Sequence, residues 1–207
     1  GKLLDVLDKR GMRKNTLIIF SSDNGPSWWE AGGCDREFFN SNGALRDGKA
    51  SYYEGGLRVP MIARWPGTIA AGTTSDHLSA FWDVLPTLCE VAGVTVPTET
   101  DGLSFLPTLR GQSGQQTQHD FLYWEFYELG GRQAVREGRW KYIRLNVRDA
   151  EAQVITELYD LETDLAERNN LIGFHPEIAN QLEERMRQAH IPHDLVSLFS
   201  QRKDATL

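Results

Sequence analysis

Two stretches of this 207-residue chain hold residue types that could do chemistry. In the first, "NTLIIFSSDNG" from Asn15 to Gly25, an apolar run over Thr16–Phe20 ends in Asp23 and Asn24 side by side. Ligands of open α/β sheets bind beyond the carboxyl ends of the strands, and that is where these two residues fall if the run is a strand. A carboxylate beside a carboxamide offers hard oxygen ligands with one negative charge, suited to Ca²⁺ or Mg²⁺ and poorly to soft metals. Asp-Asn-Gly is also ordinary turn chemistry, so alone the stretch admits both readings. The second stretch, "GALRDGKASYYEGGLRVPMIARWPG" from Gly43 to Gly67, sets Lys49 among glycines. By itself it reads as a solvated lysine between two turns.

The elements that must position these residues follow from the hydrophobic pattern. Leu3, Leu4, Val6 and Leu7 share one broad face of a helix that stops at Gly11. A helix followed by a continuous apolar strand over Thr16–Phe20 reads as half of a parallel α/β unit, whose strands are buried on both faces. Residues 25–48 form a Gly-, Asn- and Asp-rich segment too long for an idle connection, and it carries Trp28 and Trp29. A second strand is expected over 59–65. Asp83 is placed to cap a helix over 84–92, with Pro86 in its first turn and Gly93 closing it. A short helix over 105–109 leads to "GQSGQQTQ", residues 111–118, which reads as a linker.

Beyond the linker, "FLYWEFYE", "RQAVREG", "RWKYIRLNV" and "TELYDL" are short aromatic or β-branched runs between polar turns. They predict a small antiparallel sheet. A helix is expected from Pro176 to about Ala189, with Ile178, Leu182, Met186 and Ala189 at helical spacing. The domains expected are 1–112, an incomplete α/β domain, and 119–207, a small α+β domain. Only two strands in the first 110 residues suit a buried parallel sheet, fewer than such a sheet needs, so the first half reads as the end of something larger.

With 40% apolar and 25% charged residues the chain is ordinary globular protein, and its net charge of −7 with dispersed Lys and Arg argues against a nucleic-acid partner. No apolar run reaches the roughly 20 residues of a membrane helix, and no leader is recognisable, so a soluble protein without a membrane partner is expected. Cys34 and Cys89 make neither a disulfide framework nor a metal spacing. His190 and His193 straddle Pro192, which would interrupt a helix presenting both to zinc; they read as solvated surface histidines.

"LIIFSSDNGP" followed by "LRDGKASYYEGGLRVPMIARWPG" resembles the C-terminal part of the sulfatases, the arylsulfatase-like enzymes of the alkaline phosphatase superfamily. The likeness continues through "DVLPTLCEVAGV", "DGLSFLPTLRG", "GRQAVREGRWKYIRL" and "TELYDLETDLAERNNL", covering nearly the whole chain. The resemblance implies an α/β fold: the end of an alkaline-phosphatase-like sandwich domain, then an α+β domain with a four-stranded antiparallel sheet and a C-terminal helix. It implies that Asp23 and Asn24 ligate a divalent cation, usually Ca²⁺, and that Lys49 binds the sulfate group. A cation and a held ammonium are suitable electrophiles for charge on sulfuryl oxygens. Glu54 and Arg58 then read as scaffold. Periplasmic, lysosomal or extracellular placement follows from the resemblance alone.

The family's nucleophile is a formylglycine made from Cys or Ser in a C-x-P-S-R or C-x-A-x-R setting. Neither Cys34, before Asp-Arg-Glu, nor Cys89, before Glu-Val-Ala, fits. The expectation is therefore the C-terminal portion of a sulfatase with an incomplete Ca²⁺ site, inactive alone, and prone to self-association through an exposed sheet edge. Its substrate would be a sulfated small molecule or glycan. Candidate substrate contacts are Trp28, Trp29, Tyr123, Glu125, Tyr127 and Arg132, since aromatics stack on sugar faces and Arg grips anions. The competing readings are a phosphodiesterase or phosphonate hydrolase of the same superfamily, and a non-catalytic binding module.

Overall fold

The computed structural model describes residues 1–27 and 35–193. Trp28, Trp29 and Cys34 lie outside the described residues. The chain divides into two compact units, one made of Gly1–Ser22 with Pro60–His119, the other of Asp23–Val59 with Asp120 onward. Their boundary near His119 falls next to the expected linker. The segment 23–59, however, belongs with the later sheet rather than with the strand that precedes it.

In the first unit, α1 (Lys2–Lys9) ends as its sequence suggests, with Gly11 in the left-handed region at φ +68° and its N–H on the Asp8 carbonyl. Strand β1 (Ile18–Ser21) pairs with β2 (Met61–Arg64). The pairing is antiparallel, with Ile18 opposite Arg64 and Ser21 opposite Met61, which corrects the expected parallel arrangement. Burial is corrected as well: Phe20 is 67% and Ile62 63% exposed. A continuous apolar run specifies that both faces of a strand want cover, not which strand lies beside it or whether the cover is present. Leu3 and Val6 of α1 are exposed in the same way.

Helix α3 (Val84–Ala92) carries buried Pro86 in its first turn and closes at Gly93, φ +68°. Asp83 precedes it but makes no side-chain cap to it. Its buried carboxylate instead accepts from Ala80 N at 2.7 Å and Leu103 N at 2.8 Å, and lies 2.8 Å from His119 Nε2. A fully buried carboxylate needs all of its lone pairs answered, and three partners satisfy it better than one turn of helix would. Nor is the 111–118 stretch loose. After α4 (Leu106–Leu109), the Gln116 side chain accepts from Thr108 N at 3.0 Å and donates to Ser104 O at 2.9 Å, fastening the segment back.

The second unit is built on an antiparallel sheet of four strands in sequence order: β3 (Leu122–Phe126), β4 (Arg132–Glu137), β5 (Trp140–Leu145) and β6 (Ile155–Asp160). Register runs from Leu122↔Arg136 through Ala134↔Ile143 to Ile143↔Glu157. Both faces are buried. Ala134, Ile143 and Tyr159 pack with Tyr52, Tyr53 and Leu161 on one side. Val135, Tyr142 and Leu158 pack on the other against Ala179, Leu182 and Met186 of the last helix. Because successive strand residues point to opposite faces, two-sided burial produces the unbroken buried triplets Gln133–Val135 and Lys141–Ile143. The covering segment of the first face includes a single helical turn, α2 (Glu54–Leu57). The second face is covered by α5 (Pro176–Ala189), the helix expected from the sequence.

Candidate functional site

The Asp23-Asn24 turn and the Lys49 loop are locked together main chain to main chain. Gly25 N donates to Gly56 O at 3.0 Å, and Lys49 N donates to Pro26 O at 2.9 Å. The Asn24 carboxamide donates its Nδ2 hydrogen to Gly25 O at 2.9 Å. Gly55 N in turn donates to Arg46 O at 2.8 Å, and Ser51 N to Gly48 O at 3.1 Å.

This packing explains the glycine pattern. A methyl group on Gly25 would overlap the Gly55 carbonyl, and one on Gly56 would overlap the carbonyls of Ser51 and Gly48. Only backbones without Cβ can approach so closely. The glycines are thus contact points of a knot rather than the two ordinary turns their spacing suggests. The residues flanking Gly48 and Lys49 are bent to match, with Asp47 at φ +60° and Ala50 at φ +64°. Lys49 itself stays exposed at the top of this rigid loop.

Arg132 reaches the same loop from β4, donating from Nη1 to Ala50 O at 2.6 Å. Tyr123, Glu125 and Tyr127 gather elsewhere, around one carboxylate. Glu125 accepts from Tyr123 at 2.5 Å and from Tyr127 at 3.2 Å, and lies 2.7 Å from His190 Nδ1. His190 is therefore not the solvated surface residue expected: its side chain is 5% exposed, at the C-terminal end of α5. Pro192 ends the helix but leaves His190 free to turn inward, which spacing alone does not reveal. Burial, then the hydrogen bond to Glu125, pushes the Tyr123 hydroxyl well above its ordinary pKa. Tyr52 is raised too, by burial first and the Glu125 charge second. These phenols remain protonated donors.

Beneath the knot is a charge cluster that the sequence did not disclose. Lys141 of β5 is fully buried, with Nζ 2.9 Å from Glu54 Oε1 and 2.8 Å from Glu167 Oε1. Glu167 Oε2 also accepts from Glu54 N at 2.6 Å, and its carbonyl accepts from Arg46 Nη1 at 2.9 Å. Burial pushes the Glu167 carboxyl above the usual range, opposed by the neighbouring Lys141 charge. Glu54 is scaffold as expected, and Arg58 lies 3.7 Å from it. The signal available was phase: Lys141 shares a strand face with Ile143, so its ammonium had to find buried anions.

Asp23 and Asn24 supply the hard oxygens a Ca²⁺ or Mg²⁺ ion takes, but the number falls short. Among the described residues no group of three or more His, Cys, Asp or Glu side chains could hold a metal ion. Two donors do not make a site for an ion that takes about 6–8. Cys89 is a free cysteine on α3.

Residues 47–191 match the family described as N-sulphoglucosamine sulphohydrolase, C-terminal. Arylsulfatase A of Homo sapiens is 35% identical over 193 residues, covering 84% of this chain and 36% of that protein. N-acetylgalactosamine-6-sulfatase of Mus musculus is 38% identical over 146 residues, covering 68% of this chain and 26% of that protein. Among solved structures, BT4656 in complex with its substrate D-glucosamine-2-N,6-O-disulfate superposes with a TM-score of 0.70 at 27% identity, over 91% of this chain and 36% of that one. The chain thus spans well under half the length of the relatives it matches. With an α/β fold, a four-stranded antiparallel sheet and a C-terminal helix shared with solved sulfatases, the chain belongs to the sulfatase family.

Proposed function

We propose that this chain is the sulfate-gripping part of a longer sulfatase that hydrolyses sulfate esters of glycans or aryl compounds. The observation that carries the proposal is the main-chain lock between the Asp23-Asn24 turn and the Lys49 loop. Two hard oxygen donors and one ammonium are held on interlocked backbones, the arrangement that electrostatic stabilisation of a reacting sulfuryl group calls for. Lys49 would place its positive charge against a sulfuryl oxygen, where charge grows in the transition state. Asp23 and Asn24 would contribute two ligands to a divalent cation whose remaining ligands come from outside this chain. When bound, that cation supplies Lewis-acid stabilisation, and a formylglycine elsewhere in the longer protein supplies the nucleophile.

Arg132 fits best as the clamp of the Lys49 loop, since its guanidinium is engaged on Ala50 O. Tyr123, Glu125 and Tyr127, fixed by mutual hydrogen bonds and His190, would form a polar aromatic wall for a sugar ring. A sulfated glycan is favoured as substrate by the sugar sulfates on which the similar N-acetylgalactosamine-6-sulfatase and BT4656 act. Periplasmic, lysosomal or extracellular placement is proposed with it. Among the described residues no helix is long and apolar enough to cross a membrane.

The test is turnover of glucosamine 6-sulfate, N-acetylgalactosamine 6-sulfate and an aryl phosphodiester by the longer, formylglycine-bearing protein and by the 207-residue chain. Release of sulfate by the long form only is expected. Preference for the phosphodiester, or turnover by the short chain, would overturn the reading.

A further inference from the structure

We infer that Lys141 is a positioning residue for Lys49 and the Asp23-Asn24 turn, acting through the buried cluster it forms with Glu54 and Glu167; the catalytic meaning of this rests on the sulfatase reading above. Lys141 touches neither loop. It holds Glu54 by the side chain, at 2.9 Å, while Glu167, which it also holds at 2.8 Å, takes the Glu54 main-chain N–H at 2.6 Å. The first residue of α2 is thereby fixed at two points by charge. This helical turn has no side-chain cap from Tyr53, so the Glu167 carboxylate takes the place of one.

From Glu54 the constraint passes along covalent bonds to Gly55 and Gly56. Gly55 N is bonded to Arg46 O, and Gly56 O receives Gly25 N, the residue after Asn24. Gly56 also packs on the carbonyls of Gly48 and Ser51, on either side of Lys49 and Ala50. Arg46 closes the circuit by donating to Glu167 O at 2.9 Å, with its guanidinium 3.7 Å from the centre of the Tyr53 ring. Arg136, 3.9 Å from Glu54, adds a second sheet residue to the same anchor. The site's backbone is thus tied to the sheet through Lys141 and Arg136, and to the segment after β6 through Glu167.

Stability alone does not account for such a cluster. Replacing every member of a buried ion group by uncharged residues of similar size is often neutral or stabilising, whereas removing one member strands the others and is strongly destabilising. The cluster as a whole is accordingly expected to set the position of Lys49 more than the stability of the unit.

The test is amide hydrogen exchange by NMR on the 207-residue chain, comparing Lys141→Met and the charge-neutral Glu54→Gln/Lys141→Met/Glu167→Gln with the parent. The Gly25 and Lys49 amides should exchange at least tenfold faster in both, while in the charge-neutral variant those of Leu182 and Met186 on α5 keep their protection; Lys141→Met alone strands two buried carboxylates and loosens the whole unit as well. If Lys141→Met does not fold, the charge-neutral variant carries the test. Unchanged protection at Gly25 and Lys49 in a folded variant would overturn the proposal. So would a parallel rise at α5 in the charge-neutral variant, which would mark the cluster as purely structural. In the longer enzyme, Lys141→Met should lower kcat at least tenfold with a smaller change in KM, and Lys141→Arg should recover part of it; unaltered kcat would also overturn the proposal. The exchange readout needs no turnover, so a neutral Lys49→Ala would remove the sulfate-binding reading while leaving this coupling standing.

Discussion

Lys49 combines an exposed side chain with a bonded main chain between two strained neighbours. Asp47 and Ala50 sit in the left-handed region on either side of it, each at a cost of about 1–2 kcal/mol for a non-glycine residue. The bonds of the glycine knot offset that cost. Gly56→Ala should therefore destabilise the second unit by about 1–3 kcal/mol, as overpacking does, because its Cβ would meet two carbonyls rather than a flexible side chain. Urea unfolding followed by Trp fluorescence checks this, and an unchanged midpoint would contradict it. At the other loop, calorimetry of Ca²⁺ with the 207-residue chain should show weak binding or none; tight one-to-one binding would mean that further ligands lie within this chain. Asp23, Asn24 and Lys49 stand out as candidates because residue type and motif order announce them. Lys141, Glu167 and His190 were not, since a charge in "RWKYIRL" or "LAERNNL" looks solvated until the sheet around it is known to be covered on both sides.

Among the elements, the sheet strands and α5 were legible because β-branched and aromatic runs, and a 3.6-residue period starting at proline, are local signals. Pairing is not local. The antiparallel β1–β2 ladder could not be read from two apolar runs separated by about 40 residues, nor could the fastening of 111–118 through one glutamine side chain. The turn after β6 shows how such an element is held. Asp160 accepts from Arg139 Nε at 2.6 Å and Thr163 Oγ1 at 2.9 Å, and the same carboxylate receives Glu162 N at 3.2 Å. Arg139, with help from Thr163 and Glu162, holds its pKa at about 2. A carboxyl depressed below its ordinary value of about 3.9 stabilises the fold fully above that pH and loses its contribution as pH falls toward 2. Asp160→Asn should consequently lower the melting temperature at pH 7, with the gap to the parent closing between about pH 4 and pH 2. A gap independent of pH would show that geometry, not charge, makes the contribution.

For the molecule as a whole, the first unit exposes an apolar surface it cannot use in water. Phe20, Met61 and Ile62 on the two strands, Leu3 and Val6 on α1, and Leu85 and Leu88 on α3 are all open. The chain covers only 36% of arylsulfatase A and 26% of N-acetylgalactosamine-6-sulfatase, and on the function proposed above this surface would pack against the rest of a longer sulfatase. Without that remainder, the 207-residue chain should self-associate. Sedimentation velocity should show a weight-average mass that rises with concentration and falls back in Phe20→Lys/Ile62→Lys, while a monomer at every concentration would argue against an uncovered interface. Whether Lys49 grips the sulfate is decided by turnover of a chromogenic aryl sulfate with calcium, by the longer formylglycine-bearing protein and its Lys49→Ala variant. The substitution should lower kcat about 100-fold or more, as removal of an oxyanion-stabilising group does, with the melting temperature unchanged. Equal turnover by parent and variant would contradict it.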